Sequence, residues 1–262
     1  MRGFAAVLLA LVALFLLAPL LVVVAYSFNT AEASAEMQGV TTRWYGETLR
    51  NPRFQSAMWA SLKVSLLVTF ISGLVGVSGA LAARFSPHPW TRRALGVLCL
   101  APILTPELLM ALGAAQLFRL IGLDLGLTTV VLAHTSFGVP LFFLLTDAAL
   151  ADGRFGDLIR ASRDLGASGG TTLRVVVLPL LAPYLASSAV LIWALSIDEF
   201  VMSFFLSGPG EPLLTVRLYS LLRTKGVSTE INVACVVLAV MVLSVWLAAA
   251  FARRAAVRRE TA

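Results

Sequence analysis

Residues 154–179, RFGDLIRASRDLGASGGTTLRVVVLP, contain the longest polar stretch in a chain that is otherwise mostly apolar. Apolar or small residues recur there at helical spacing: Phe155, Leu158, Ile159, Ser162 and Leu165. Charged residues occupy much of the remaining surface of the predicted helix. This spacing predicts a short amphipathic helix that stops at Gly166, because glycine readily takes the left-handed backbone of a helix end. A second helical pattern starts at Leu173 and bends at Pro179 into the next apolar run. We call residues 154–174 the polar segment. We predict that its two short helices lie outside the membrane and are rigidly joined to that run, so that a partner that moves them also moves the membrane helix.

The apolar runs around this segment have the length of membrane spans. Hydrophobic residues make up 59% of the 262 residues and charged ones 13%, which excludes an ordinary soluble protein. Runs of about twenty residues with at most one charge can cross about 30 Å of hydrocarbon as α-helices; they are 4–28, 64–83, 94–118, 125–146, 175–197 and 231–252. The predicted fold class is all-α, a polytopic membrane bundle of six transmembrane helices. The first run is too long for a signal peptide and is interpreted as an uncleaved helix.

The basic residues predict which side of the membrane each loop faces. With the N-terminus in the cytoplasm, 12 of the 20 arginines and lysines lie on the cytoplasmic side and eight on the other side. We therefore expect both termini and the polar segment in the cytoplasm. The net charge of +6 then indicates attraction to anionic lipid rather than nucleic-acid binding.

The sequence offers little that would support an enzyme. GASGGTT, residues 166–172, superficially resembles a phosphate-binding loop, but such a loop needs a lysine directly after a glycine, and neither Lys63 nor Lys225 follows one. Cys99 and Cys235 lie within the apolar runs, which argues against a disulfide framework or a metal site. We expect no catalytic residue, no metal and no cofactor in this chain.

Acidic residues in or beside the apolar runs are the candidates for contact with a transported solute. Glu107 lies inside the third run, where a charge costs about 2.5–3.5 kcal/mol. Asp198 and Glu199 follow the fifth run, about 100° apart on a helix, so we expect at most one of them to face a pathway. Trp193 could stack on a cation. The alternative is that these acids are structural and bond to neighbouring backbone or to Arg217.

Other residues of the runs are interpreted as packing features. His134 is expected to form hydrogen bonds between helices rather than to bind a ligand. Pro102 and Pro106 should interrupt the third helix. Trp44 and Tyr45 predict a short amphipathic helix at the outer surface. Small residues at three-residue spacing in the second run should let helices approach closely: Gly73, Gly76 and Gly79.

The motif RASRDLGAS, residues 160–168, followed by LRVVVLPLLAP, resembles the cytoplasmic loop of ABC-importer permeases. The family pattern is Glu-Ala-Ala, a glycine after three residues, and then Ile/Val-x-Leu-Pro. The matching positions here are Ala161, Asp164, Leu165, Gly166, Ala167, Val176, Leu178 and Pro179. The family's Glu-Ala-Ala is Arg160-Ala161-Ser162 in this chain. The resemblance implies that this loop docks into a groove of a separate ATPase, without the acidic residue that Arg160 replaces.

Other motifs are similar to the second permease subunit of polyamine importers, the putrescine and spermidine group. They are YSFN (26–29), TRWYGETLR (42–50), HTSFGVP (134–140), LSIDEFVMSFFLSGPG (195–210) and STEINVA (228–234). One departure is Thr215, where the group usually has proline. The resemblance implies a bacterial inner-membrane heterodimer of two related permeases, a cytoplasmic ATPase dimer that uses the ATP, and a periplasmic substrate-binding protein.

Together these features predict one permease domain over residues 1–262. Its parts are a first helix (4–28), an outer loop (29–58), core helices (59–253) with a cytoplasmic coupling loop (150–179), and a basic cytoplasmic tail (253–262). The predicted function is ATP-driven polyamine import, coupled through residues 154–174. Two alternatives stay open: an ABC importer for another small organic solute, and an ion-coupled secondary transporter that uses Glu107, Asp198 and Glu199.

Overall fold

The computed structural model describes residues 2–32, 36–210 and 212–260, with side chains for 4–32, 36–210 and 212–251. These residues are almost entirely helical, and one isolated bridge pairs Asn29 with Val40. The side chains of the predicted basic tail, 253–262, lie outside the described residues. The helices are α1 (Arg2–Tyr26), α2 (Arg43–Arg50), α3 (Pro52–Phe85), α4 (Pro89–Leu104), α5 (Glu107–Leu120), α6 (Leu127–Leu150), α7 (Gly153–Asp164), α8 (Gly169–Thr172), α9 (Leu178–Asp198), α10 (Val201–Leu206), α11 (Leu214–Lys225) and α12 (Thr229–Glu260); a π-helical turn, Leu173–Val177, joins α8 to α9.

The predicted all-α membrane fold is confirmed. Within the part of the chain that the structure describes, five helical segments are long and apolar enough to cross a membrane, and a sixth span results if α4 and α5 count as one. Those two helices meet at an angle of 101°. The predicted interruption lies at Thr105 and Pro106, because proline disfavours a helical residue before it and Thr105 has an extended ψ of 132°. Pro102 lies inside α4 and does not end it.

The largest difference between a predicted and an observed helix boundary is at the N-terminal end of α3. This helix begins at Pro52 rather than at 64, so the predicted outer loop, 29–58, contains all of α2 and the start of α3. Its 34 residues are about 51 Å long, well beyond the hydrocarbon thickness. The Asn51 side chain accepts a hydrogen bond from the backbone N–H of Arg53 at 3.0 Å, and Pro52 suits a first helical position. Capping therefore sets this end, whereas hydropathy locates only the apolar stretch.

The described contacts divide the chain into two compact units. The first comprises Met1–Met58 and Val216–Ser244. In it the loop after α1 is tied to the start of α12, since the Thr229 hydroxyl donates to the carbonyl of Ala31 at 2.6 Å. The predicted amphipathic helix at Trp44 and Tyr45 is present as α2.

The second unit comprises Trp59–Thr215 and Val245–Ala262, and α6 lies at its centre. The small residues of α3 let α6 approach closely, as predicted. A Cβ atom at Gly76 would lie 2.6 Å from the Cβ of Phe142 and 2.6 Å from the carbonyl oxygen of Val139. At Gly73 and Gly79 the neighbours are also aromatic rings of α6.

Replacing Gly76 by alanine should therefore destabilise the protein. We expect the free energy of unfolding to fall by about 1–3 kcal/mol, because the added methyl group meets backbone as well as a side chain. Gly113 in α5 is the matched control, since a Cβ there meets nothing within 4 Å, and Gly113→Ala should be neutral or stabilising by up to about 1 kcal/mol. Thermal unfolding in detergent measures both variants. Equal unfolding midpoints would contradict the close packing of α3 on α6.

Candidate functional site

The polar segment begins with the amphipathic helix that its sequence predicts, α7. The side chain of Asp152 caps it by accepting a hydrogen bond from the backbone N–H of Arg154 at 3.0 Å. The Arg154 guanidinium also donates to this carboxylate and holds the pKa of Asp152 below its usual value. Both side chains are exposed enough that this pair contributes little to stability.

The helix stops at Gly166, as predicted, in a left-handed conformation with φ of +80°. The N–H of Gly166 donates to the carbonyl of Arg163 at 2.8 Å, and that of Ala167 to the carbonyl of Ser162 at 3.1 Å. These two bonds form a Schellman motif. A third contact, 2.8 Å between the hydroxyls of Ser162 and Thr172, ties α7 to α8. The two short helices are thus joined by a fixed turn.

The two faces of α7 have different surroundings. Phe155 is 2% exposed and packs with Leu150, Val177 and Leu181, so α7 is attached to α6 and to the start of α9. An adjacent face is exposed and carries a row of apolar residues at helical spacing: Leu158, Ala161 and Leu165. The rest of the circumference carries charged residues: Asp157, Arg160, Arg163 and Asp164.

Helical backbone continues from α8 into the membrane span. The π-helical turn Leu173–Val177 directly precedes α9, whose second residue is Pro179. Proline has no N–H for the carbonyl four residues earlier, and its ring crowds that carbonyl, so a wider turn accommodates it. The stretch Gly169–Asp198 is therefore a single helical rod. A force applied to the polar segment can be passed along α9.

A buried polar cluster lies at the other end of α9. His134, from α6, is 0% exposed. Its Nδ1 lies 2.9 Å from the hydroxyl of Ser196, and its Nε2 lies 3.2 Å from the hydroxyl of Ser203 and 3.0 Å from Oε2 of Glu199. The prediction that His134 forms hydrogen bonds between helices is confirmed, because these partners belong to α9, to α10 and to the break between them.

Glu199 occupies that break with its side chain only 6% exposed. Its carboxylate accepts hydrogen bonds from the backbone N–H groups of Met202 at 2.7 Å and Ser203 at 3.0 Å, in the first turn of α10. Its carbonyl accepts from the hydroxyls of Ser203 and Thr215. A ψ of 124° ends α9 at this residue. Glu199 is thus bound to the neighbouring backbone, which is one of the alternatives that the sequence left open.

The described residues around the break leave almost no free space. A cleft lined by Ser61, Ser196, Glu199, Ser203 and Thr215 has no room for a water-sized sphere. The Ser61 hydroxyl accepts a hydrogen bond from the backbone N–H of Leu214 at 2.8 Å. The break is therefore closed and internally bonded in this structure.

The other candidate residues are placed differently. Asp198, the last residue of α9, is exposed. Glu107 is also exposed and is the first residue of α5, at the bend rather than within a straight span. Trp193 is buried, 7% exposed. No hydrogen bond or ion pair among the described residues joins these three to one another. Arg217, which the sequence offered as a partner for the acids, instead lies 3.9 Å from Glu230.

Sequence reasoning missed the pairing of His134 with Glu199. The two residues are 65 positions apart, so no local periodicity connects them. The only signal was that each is a polar residue in or beside an apolar run.

Comparison with known proteins agrees with this fold. The family described as "Binding-protein-dependent transport system inner membrane component" matches residues 76–257. The spermidine/putrescine transport system permease protein PotC of Escherichia coli (strain K12) is 32% identical over 232 residues, covering 87% of this chain and 86% of PotC. The putrescine transport system permease protein PotI of the same strain is 31% identical over 225 residues, covering 83% and 79%.

Solved structures give the same architecture at low sequence identity. A bacterial ABC transporter that imports alginate matches with a TM-score of 0.73 at 15% identity, covering 97% of this chain and 95% of that chain. The MetNI methionine ABC transporter matches with a TM-score of 0.61 at 20% identity, covering 78% and 98%. The fold is that of ABC-importer permeases, in a multi-pass inner-membrane protein. The chain belongs to the family of inner-membrane components of binding-protein-dependent transport systems.

Proposed function

We propose that this chain is the permease subunit of an ATP-driven importer of polyamines such as putrescine and spermidine. The observation that carries the proposal is its identity of 31–32% with PotI and PotC over most of each chain. An exposed carboxylate at the end of a membrane helix suits the same class of solute. The alternatives are an ABC importer for another small organic solute and an ion-coupled transporter.

Asp198 is the residue that we assign to contact with the amine. A carboxylate beside a pathway can offset the hydration that an ammonium group loses. Of the two adjacent acids, Asp198 is exposed, whereas the carboxylate of Glu199 is already bonded inside the protein. Glu107 and Trp193 remain candidates along the pathway. The exposed side chain of Glu107 is accessible to the amine. The buried side chain of Trp193 could contact the amine only after a change in its packing.

The polar segment is proposed as the contact with a cytoplasmic ATPase dimer. The exposed row Leu158, Ala161 and Leu165 supports this role, because it offers apolar surface on a helix that is fixed to two membrane helices. Arg160 forms an ion pair with Asp157 at 2.9 Å in the same helix. We also propose that both termini lie in the cytoplasm, in accordance with the distribution of basic residues. A second related permease and a periplasmic binding protein complete the assembly.

The mechanism is alternating access driven from outside the chain. ATP binding would bring the two ATPase subunits together and move the polar segment. The helix bundle joined to that segment would then change from inward-open to outward-open and accept the solute. A partner shifts such an equilibrium only if it binds the two states differently, so its contact with the polar segment must change between them. The chain itself binds no nucleotide in this scheme.

Uptake of labelled putrescine and spermidine tests the proposal in a host that lacks this gene. Expression of the chain should restore uptake of at least one amine. Depletion of ATP should stop that uptake, whereas collapse of the proton gradient with ATP maintained should leave it largely intact. Failure to restore either amine would remove the polyamine assignment and favour another solute. Loss of uptake on collapse of the gradient alone would favour an ion-coupled carrier.

A further inference from the structure

We propose that His134 is a positioning residue: its Nε2–H group holds the Glu199 carboxylate and so fixes the break between α9 and α10 from which Asp198 meets the amine. This inference rests on the proposed function, because it assigns Asp198 to the solute. It adds a residue of α6 to the group that determines amine affinity.

Among the described residues, His134 is the only one outside α10 that bonds to the Glu199 carboxylate. The other donors to this carboxylate are the backbone N–H groups of Met202 and Ser203, in the first turn of α10. They fix the carboxylate relative to α10 alone. The 3.0 Å contact with His134 is what connects it to α6.

The geometry also indicates which ring nitrogen matters. The Glu199 carboxylate already accepts two backbone N–H groups, as an ionised acid does. We assign the hydrogen to Nε2, because a lone pair there would face Oε2 of an ionised carboxylate at 3.0 Å. Nδ1 faces the Ser196 hydroxyl at 2.9 Å, and a hydroxyl can donate or accept there. With the hydrogen on Nε2, Nδ1 accepts from the Ser196 hydroxyl, and both nitrogens of this buried ring are satisfied.

Asp198 directly precedes Glu199, so the position of one backbone constrains the other. Binding groups act well only when neighbouring side chains hold them within about 0.5 Å of the productive geometry. Loss of the His134 contact should let the break shift relative to α6. Affinity for the amine should then fall, while the ATP-driven cycle, which depends on the distant polar segment, should keep its maximal rate.

Two amide variants of His134 separate this role from simple filling of space. Glutamine places its NH2 group about where Nε2 lies, whereas asparagine places it about where Nδ1 lies. In the assembled transporter we expect His134→Asn to raise the KM for putrescine about tenfold, and His134→Gln to raise it about twofold or less. Maximal rates per transporter in the membrane should stay within about twofold. His88, the exposed second histidine, is the matched control, and His88→Asn should leave KM unchanged.

A double variant tests whether His134 acts through Asp198. His134→Asn should add nothing to the KM of Asp198→Asn, because the group that it positions no longer carries a charge. Should His134→Asn fail to reach the membrane, Glu199→Gln serves instead. The amide has one accepting oxygen where the carboxylate has two, so its NH2 group would face either Nε2–H of His134 or a backbone N–H of α10. This variant should therefore also raise KM about tenfold.

The outcomes distinguish this inference from the proposed function. Equal KM values for His134→Asn and His134→Gln, or an unchanged KM in His134→Asn, would overturn the positioning role and leave polyamine import standing. Multiplying effects in the double variant would also overturn it. If the unmodified chain restores no amine uptake, the proposed function fails and this inference fails with it.

Discussion

Replacement of Gly166 by proline is expected to reduce ATP-dependent uptake at least about a hundredfold, with an unchanged amount of protein in the membrane. Gly166 has a φ of +80°, and proline fixes φ near −65°. The substitution also removes the N–H group that donates to the carbonyl of Arg163 at 2.8 Å. The turn between α7 and α8 could not form, and motion of α7 would no longer be passed to α9.

The measurement is labelled putrescine uptake together with membrane level and co-purification of the ATPase. Gly166→Ala should have a smaller effect, because a left-handed alanine costs about 1–2 kcal/mol. Gly156 in α7 is the matched control, since a Cβ there meets only the end of the Arg160 side chain at 3.8 Å. Gly156→Ala should transport within about twofold of the unmodified chain. Normal uptake by Gly166→Pro would remove the polar segment from the coupling mechanism.

The features that the sequence predicted are those that a local pattern determines. Charge-free runs located the membrane segments, because hydrocarbon excludes charge over about 20 residues regardless of the fold around them. Gly166 marked the end of α7, because a left-handed residue is a local backbone requirement. The break at Pro106 follows equally from the local chemistry of proline.

The features that sequence reasoning missed depend on contacts between distant residues. The angle of 101° between α4 and α5 is a tertiary property, whereas proline predicts only an interruption. The contact of His134 with Glu199 joins positions 65 apart. It separates two adjacent acids that the sequence treats almost equally: Glu199 is bonded inside the protein, and Asp198 is exposed. Helical geometry predicted that they would diverge but not which one would be buried.

Replacement of Asp198 by asparagine should raise the KM for putrescine about tenfold to a hundredfold, as expected when a hydrogen bond to a charged group is lost. The side chain keeps its size and loses only its charge. Since Asp198 is exposed and is the last residue of α9, the substitution leaves in place the hydrogen bonds between the Glu199 carboxylate and the first turn of α10. Membrane level and thermal stability should therefore stay within the range of the unmodified chain.

The decisive comparison is between charge and shape at this one position. Asp198→Glu restores the charge on a longer side chain, so it should recover more amine affinity than the asparagine variant does. Asp124 is an exposed acid in the turn before α6, and Asp124→Asn is the matched control with an expected KM near that of the unmodified chain. An unchanged KM in Asp198→Asn would move the amine contact elsewhere, and Glu107 at the α4–α5 bend would then be the next acid to test. A raised KM in Asp198→Asn together with a lower KM in Asp198→Glu would instead establish that the transporter binds its solute through a negative charge at the end of α9.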